Sequence, residues 1–326
     1  GGGHRAGAAR DPETHGLVMT VTAHRPARLV PWGLALGGFV LIGVAFLVGW
    51  QLALVLAVWL ALWAVNVGVA GTTAGTWAAP VLFGLTLLIL WELTVRLFNV
   101  PGVILPAPTQ IAVALAENTN TLRADFVQTV LKGALGGWLI GSTAGIATAL
   151  LVARSDFLRR GLLPVGNFVA ALPIVGTAPI LVMWFGFGWE SKAAVVVVMV
   201  FFPVLVNTVA GLADTTSMQR DLMRTYGASA GQDLRYLRAP SALPFVFNGL
   251  KIATTLALIG AIVAEFFGSP TFGLGFRIST EVGRLNLPVV WAAIVVAAVT
   301  GSLWYGAIAM LEKRLTFWHP SQRGRR

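Results

Sequence analysis

Apolar residues fall in eight uninterrupted runs separated by short polar or charged stretches: Pro31–Trp50, Leu52–Ala70, Trp77–Phe98, Val127–Ala153, Leu162–Phe187, Ala193–Leu212, Phe245–Phe267 and Pro288–Leu311. A hydrocarbon core of ~30 Å takes about 20 helical residues to cross, so each run predicts a membrane-spanning helix. The expected fold class is all-α, a polytopic membrane helix bundle. The fifth run is the least regular, because Pro164, Pro173 and Pro179 must bend or break it. The fourth carries Gly133, Gly137, Gly141 and Gly145 at a spacing of four, which strips side chains from one helix face and lets a neighbouring helix approach closely.

Composition agrees with lipid as the solvent. Of 326 residues, 56% are hydrophobic and 11% charged, against roughly 25% charged in soluble domains. The net charge of +10 lies in short clusters between spans, not along one stripe, so topology explains it better than nucleic acid does. Arg154, Arg159, Arg160, Arg220, Arg224, Arg235, Arg238, Lys313 and Arg314 share one side of the membrane if the N-terminus is cytoplasmic, while Arg123, Lys192, Arg277 and Arg284 fall in the opposite loops. Positive-inside bias therefore places both termini in the cytoplasm. Trp50, Trp77, Trp184, Trp189 and Trp318 stand near run ends, where indole suits the lipid interface.

Residues 1–28 read as a disordered cytoplasmic tail, with Met19 the natural start and Gly1–Val18 a remnant before it. Residues 29–72 read as a transmembrane hairpin, 77–315 as the main membrane domain and 316–326 as a basic cytoplasmic tail. The chain has no cysteine, which removes disulfides, thiolate metal sites and cysteine nucleophiles. Its histidines, His4, His15, His24 and His319, lie outside the runs, and no metal site is expected.

If the chain serves an ATP-driven process, hydrolysis takes place on another chain. Lys132 and Lys251 follow Leu, Lys192 follows Ser and Lys313 follows Glu, so no Gly-Lys-Ser/Thr cradle for nucleotide phosphates exists. No catalytic residue and no cofactor are expected. An ion-gradient-driven secondary transporter would need ionisable groups at mid-membrane. Glu92 and Glu265 are the carboxylates within runs. Arg96 stands one turn from Glu92, a spacing that suits an ion pair. Glu265, near the end of its run, reads either as a gate or subunit contact or as a hydrated rim residue. Asn167, Thr177 and Asn207 are polar candidates for the pathway, with helix bridging as the alternative.

Between the sixth and seventh runs lies an overlong connection, residues 213–244, containing DLMRTYGASAGQDLRYLRAPSALP. Gly227 and Gly231 flank a short amphiphilic turn, and Pro240 and Pro244 punctuate its far end, which predicts a compact helical element at the membrane surface.

This stretch resembles the loop signature of binding-protein-dependent ABC importer permeases: EAA, three residues, Gly, nine residues, Ile-x-Leu-Pro. Gly227, Leu237 and Pro240 occupy the glycine, isoleucine and proline positions at both spacings, whereas Asp221, Leu222 and Met223 replace EAA and Ala239 replaces the leucine. From Trp91 to Leu315, LPAPTQ (Leu105–Gln110), WFGFGWESK (Trp184–Lys192), FFPVLVNTVAG (Phe201–Gly211) and AEFFGSPTFGLG (Ala264–Gly275) are similar to phrases of the subgroup that imports nitrate, sulfonates, taurine and thiamine-precursor pyrimidines.

The resemblance implies a type I importer fold with a six-helix core, to which 29–72 is an addition. It implies a coupling helix that docks on a separate ATPase, carried here by Asp221, Tyr226, Gly227, Ala228, Ser229, Ala230, Gly231, Gln232, Leu237 and Pro240, with Tyr226–Gln232 the docking part. ATP and magnesium would sit on that ATPase dimer. An extracytoplasmic solute-binding protein and a second permease copy are the other implied partners, in a bacterial inner membrane. The gradient-driven transporter stays open as the alternative.

Overall fold

The computed structural model describes residues 37–40, 42–43, 45–46, 49–72, 75–155, 158, 161–162, 164–166, 169, 173–268 and 271–318. Its elements among these are helical: α1 (Trp50–Ala70), α2 (Gly75–Leu97), α3 (Pro108–Glu117), α4 (Thr119–Val152), α5 (Ile174–Phe185), α6 (Trp189–Ala213), α7 (Ser217–Thr225), α8 (Ala230–Phe267), α9 (Leu274–Gly283) and α10 (Leu287–Leu315). Six of them, α1, α2, α4, α6, α8 and α10, are long and apolar enough to cross a membrane. Half of the first of the eight sequence runs lies outside the described residues. The fifth does so in part; α5, within it, has 12 residues, is capped by Pro173 and is shorter than a span.

The chain forms two compact units, Gly1–Thr86 and Leu87–Arg326. In the first, the Asn66 amide donates to the Thr86 hydroxyl at 2.9 Å and to the Leu62 carbonyl at 2.9 Å, tying α1 to α2 inside a sequence with almost no other polar side chains.

The second unit is organised around α6, which runs between α4 and α8. The glycine ladder of α4 supplies one contact face. A methyl group on Gly137 would lie 2.6 Å from the Ala193 carbonyl, and one on Gly145 would lie 2.8 Å from the Phe201 carbonyl, so any side chain there would force the helices apart. On the other side Gly249 of α8 would meet Val204 Cα at 3.3 Å. Small residues thus bring three backbones close, and Val195, Val196, Val200 and Val204 of α6 are fully buried between them. In lipid this dispersion contact, not expulsion of water, holds helices together. Edge-to-face pairs Trp91–Trp291 and Trp138–Trp304 add α2–α10 and α4–α10 contacts, with ring centroids 4.9 and 5.5 Å apart.

Hydropathy misplaces several ends for a common reason. α4 begins at Thr119, and α8 at Ala230, because each helix continues beyond its apolar part into an amphipathic segment that a hydropathy run does not register. The connection 213–244 is therefore divided: its first half holds α7, and its second half is the head of α8, not a separate surface element. Both long helices contain a wide π-helical stretch, Val127–Ala134 in α4 and Leu234–Arg238 in α8. The second has a local cause. Pro240 has no N–H for the Tyr236 carbonyl, and the ladder widens so that Ala239 N–H reaches Leu234.

Candidate functional site

Two regions gather the side chains of interest, one at each end of the 25-residue α6, separated by about 36 Å of helix at ~1.5 Å per residue.

At the C-terminal end of α6, the chain turns through Thr216 into α7. Thr216 and Gln219 form a capping box: Gln219 N–H donates to the Thr216 hydroxyl at 3.2 Å and Thr216 N–H to the Gln219 side chain at 2.9 Å. Four residues past the helix, Ser229 and Gln232 repeat the device at the start of α8, at 3.3 and 2.8 Å. Between the two boxes Gly227 closes α7. Its φ of +68° is left-handed, Gly227 N–H donates to Arg224 and Ala228 N–H to Met223, the 5→2 and 6→1 bonds of a Schellman stop. Nothing crowds its α-carbon, so backbone conformation, not close approach, is what requires glycine.

None of α7 is buried. Met218, Leu222 and Tyr226, four residues apart, are 81%, 56% and 81% exposed and form an apolar stripe on a helix otherwise rich in charge, with Asp221 and Arg224 3.5 Å apart beside it. Of the residues singled out in sequence, Asp221 lies on α7, Tyr226 to Ser229 form the turn, and Ala230, Gly231 and Gln232 open α8. Leu237 and Pro240 are half-buried farther along α8, where they shape the π stretch and do not share the exposed stripe.

Two contacts join α6 to α8 at this end of the bundle. Arg238 Nε donates to the Leu212 carbonyl at 3.0 Å, satisfying a free C-terminal carbonyl of α6 with a cation that also suits the helix dipole. A methyl on Gly211 would lie 2.9 Å from Ala242 Cα, so α6 and α8 meet backbone to backbone just behind α7. Farther along this helix pair, Asn248 Nδ2 donates to Asn207 Oδ1 at 3.0 Å, bridging α8 to α6, and Asn207 also donates to the Pro203 carbonyl at 2.8 Å. Lys251 and Glu312, 17% and 12% exposed, pair at 2.8 Å between α8 and α10. Lys251 was not read from sequence as an intramembrane charge, although it lies inside the Phe245–Phe267 run; its partner stands 61 residues away.

The opposite end of α6 holds a buried polar junction. Three consecutive N–H groups at the start of α9 donate to side chains of two spans: Gly273 to Asp125 at 2.8 Å, Leu274 to the Thr129 hydroxyl at 2.7 Å and Gly275 to Glu265 at 2.8 Å. The Thr129 hydroxyl in turn donates to Glu265, whose oxygens lie at 2.8 and 2.9 Å. Arg277 pairs with Asp125 at 2.9 Å, and Glu281 receives Arg284 at 3.0 Å and Asn286 at 2.8 Å. Lys192, fully buried in the first turn of α6, donates to the Phe187 carbonyl at 2.8 Å and to that of Gly268. Side chains of α4 and α8 thus take over the orphan N–H groups of α9, and Lys192 of α6 holds the end of α8, in a region where unpaired polar groups are costly.

Glu265 is 2% exposed, so the hydrated-rim reading of this residue does not hold. Its surroundings also explain the phrase AEFFGSPTFGLG: Gly273 has φ +137° against the Glu265 carboxylate, and a side chain on Gly275 would run into the Ile262 carbonyl. Asp125, Thr129, Lys192, Arg277 and Glu281 were missed in sequence because the first three lie at run ends and the other two in the connection between runs, where polar residues read as ordinary loop. Glu92 is engaged as well. It pairs with Arg96, as its spacing predicts, and accepts Thr109 N–H at 3.0 Å and the Thr109 hydroxyl at 2.8 Å, covering the N-terminus of α3.

Thr177 lies on α5, its hydroxyl 3.3 Å from the Ile174 carbonyl, beside a cavity of about 250 Å³ between α5, α6 and α8. Asn167 lies outside the described residues. No cluster among the described residues could hold a metal ion.

Residues 141–317 match the family model for the binding-protein-dependent transport system inner membrane component. The chain is 34% identical over 243 residues to the formylaminopyrimidine transport permease protein ThiX of Halalkalibacterium halodurans, covering 74% of this chain and 96% of that one. It is 31% identical over 236 residues to the riboflavin transport system permease protein RibX of Chloroflexus aurantiacus, covering 72% and 88%. The taurine transport system permease protein TauC of Escherichia coli shares 32% over 181 residues, 56% and 64% of the two chains. With six apolar helices of spanning length and a long match on both scales, the chain belongs to the inner-membrane permease family of binding-protein-dependent ABC transport systems.

Proposed function

We propose that this chain is the permease subunit of an ATP-driven importer, forming the path for a small solute of the nitrate, sulfonate, taurine or pyrimidine type and hydrolysing no ATP itself. α7 is its coupling helix. Docked in a groove of a separate ATPase through Met218, Leu222 and Tyr226, it passes the opening and closing of the ATPase dimer through Arg238–Leu212 and Gly211–Ala242 into α6 and α8. A solute-binding protein delivers at the opposite end, where Glu265 and its neighbours hold α9 at the gate, and a second copy of the permease completes the pathway. Both termini face the cytoplasm, in agreement with the basic residues around α7 and after α10. The residues 29–72 are an added hairpin, and Thr177, Asn207 and Asn167 border the path.

The observation that carries this reading is α7 itself: a solvent-exposed helix with an apolar stripe, bounded by two capping boxes and a glycine stop, and set in the chain between α6 and α8, which are bonded to each other at that end. The ATPase supplies the bias between two packings of the bundle; the permease supplies the packings. The intramembrane carboxylates Glu92, Glu265 and Glu312 each have partners, which fits structural roles better than ion carriage in a gradient-driven carrier.

Reconstitution with its ATPase and binding protein tests the proposal. Uptake should require ATP, stop with a non-hydrolysable analogue and be indifferent to collapse of the ion gradient. Uptake that persists without ATP but stops with the gradient would reject it.

A further inference from the structure

A polar cleft opens at the end of the bundle opposite α7, where the C-terminus of α2, the helix α3 and the start of α10 meet. It holds about 600 Å³ and shares Arg96 and Gln110 with a second hollow of about 440 Å³ beside Asn99 and Val100. The stretches that line both, 95–118 and 286–289, are described throughout.

The unspent hydrogen-bonding groups of this cleft are sorted by kind. Donors gather around the first turn of α3. Arg96 gives its Nε to Glu92 and its Nη2 to the Thr109 hydroxyl at 3.0 Å, and its Nη1 has no partner among the described residues. Gln110 turns its side-chain oxygen to the Ala107 N–H at 3.0 Å, which keeps its NH2 for a ligand. Acceptors gather at the last turn. Asn118 gives its amide nitrogen to the Ala114 carbonyl at 2.9 Å and Asn286 gives its own to Glu281 at 2.8 Å, so both keep their side-chain oxygens. Glu117 is exposed beside them and has no ion-pair partner among the described residues. Gln110 and Glu117 stand about 10 Å apart along the helix, at ~1.5 Å per residue. The rim is apolar: Phe98, Ile104 and Val113 are exposed, and Val113 and Val289 enter the lining itself.

We propose that this cleft holds the headgroup of a membrane phospholipid and selects phosphatidylethanolamine. The phosphate lies on Arg96 and Gln110, the ammonium on Glu117, Asn118 and Asn286, and the acyl chains leave over Val113 and Val289. An anionic headgroup would meet Glu117 with no cation of its own to offset it. A choline headgroup carries the positive charge but no N–H for three waiting oxygens, and so forgoes the charge-assisted bonds. The apolar rim, of no use to a soluble zwitterion, assigns the ligand to the bilayer.

Lipid competition on the full chain tests this. The purified protein is equilibrated in detergent with equimolar phosphatidylethanolamine, phosphatidylglycerol and phosphatidylcholine of identical acyl chains, washed, and the retained lipid is counted by native mass spectrometry. Phosphatidylethanolamine should be held about tenfold over either competitor, as the loss of one hydrogen bond to a charged group requires. Glu117→Gln should bring the ethanolamine and choline lipids to within about twofold of each other, and Glu117→Lys should turn the preference to phosphatidylglycerol. Glu117 is exposed, so neither change threatens folding, and the melting temperature of each variant in detergent checks this. Glycerophosphoethanolamine, the headgroup without its chains, should not displace the lipid at a hundredfold excess. Equal retention of the three lipids, a preference that survives both Glu117 variants, or displacement by the soluble headgroup overturns the proposal. It needs no ATPase or binding protein, so its outcome leaves the importer reading untouched.

Discussion

Thr129 shows how much one side chain can organise in a membrane protein. Its hydroxyl accepts from Leu274 N–H and donates to Glu265, joining α4, α8 and α9 with two bonds made where water is absent. Thr129→Val keeps the shape and removes both bonds, leaving a buried N–H and a carboxylate oxygen without partners, at about 1–3 kcal/mol for each. Thermal unfolding in detergent should occur at lower temperature, with faster amide exchange confined to residues 273–283, and Thr129→Ser should restore most of both; equal loss in the serine variant would mean that packing, not the hydroxyl, is what matters. Gly227 is the counterpart at the other end. A left-handed φ costs an L-residue roughly 1–2 kcal/mol, which in an exposed turn is released by rotating the α7 stop rather than by unfolding the bundle. Gly227→Leu is therefore expected to insert normally but to lose the link between ATP hydrolysis and uptake in vesicles; hydrolysis and uptake that remain in their wild-type ratio would remove α7 from the mechanism.

At the scale of elements, the charges inside the bundle behave as pairs between helices. Lys251 of α8 and Glu312 of α10 are both mostly buried, so Lys251→Met strands a carboxylate and should cost about 3–5 kcal/mol, whereas the double change Lys251→Met with Glu312→Met should be near neutral. Urea or thermal midpoints of the three proteins check this, and a double variant as damaged as the single one would refute it. The same scale shows what a sequence can and cannot announce. The six spans were legible because lipid demands an apolar run of fixed length, and the glycines of α4 were legible because a spacing of four lies on one face. The loop signature was legible because Gly227, Leu237 and Pro240 each have a local backbone task. The polar junction was not. Asp125 meets Gly273 across 148 residues and Thr129 meets Glu265 across 136, and nothing local in either segment states its partner. Nor did hydropathy reveal α3 and α9, short amphipathic helices whose existence depends on Glu92 in one case and on Asp125, Thr129 and Glu265 in the other receiving their first N–H groups.

At the scale of the whole molecule, the question is which part of the chain the transport cycle needs. The match to ThiX takes up 74% of this chain yet 96% of the relative, so about a quarter of the present chain has no counterpart in a complete permease of the same family. The two compact units divide within α2, at Thr86, and inside the first a polar bond joins Asn66 of α1 to Thr86 of α2. A chain beginning at Gly75 keeps all of α2, with its Glu92 contact to α3, and loses that bond and the one from Gly75 N–H to the Thr72 carbonyl. Substituting Thr86→Val in the shortened chain removes the hydroxyl left facing lipid, which would otherwise bond only the Leu82 carbonyl. The shortened protein is expected to insert, to copurify with the ATPase and to show ATP-dependent uptake within about twofold of the full chain, a difference of less than 0.5 kcal/mol in the rate-limiting barrier. If it inserts and binds the ATPase but uptake collapses, the N-terminal helices belong to the moving machinery and not to an appended anchor, and the functional unit of this permease is larger than that of its shorter relatives.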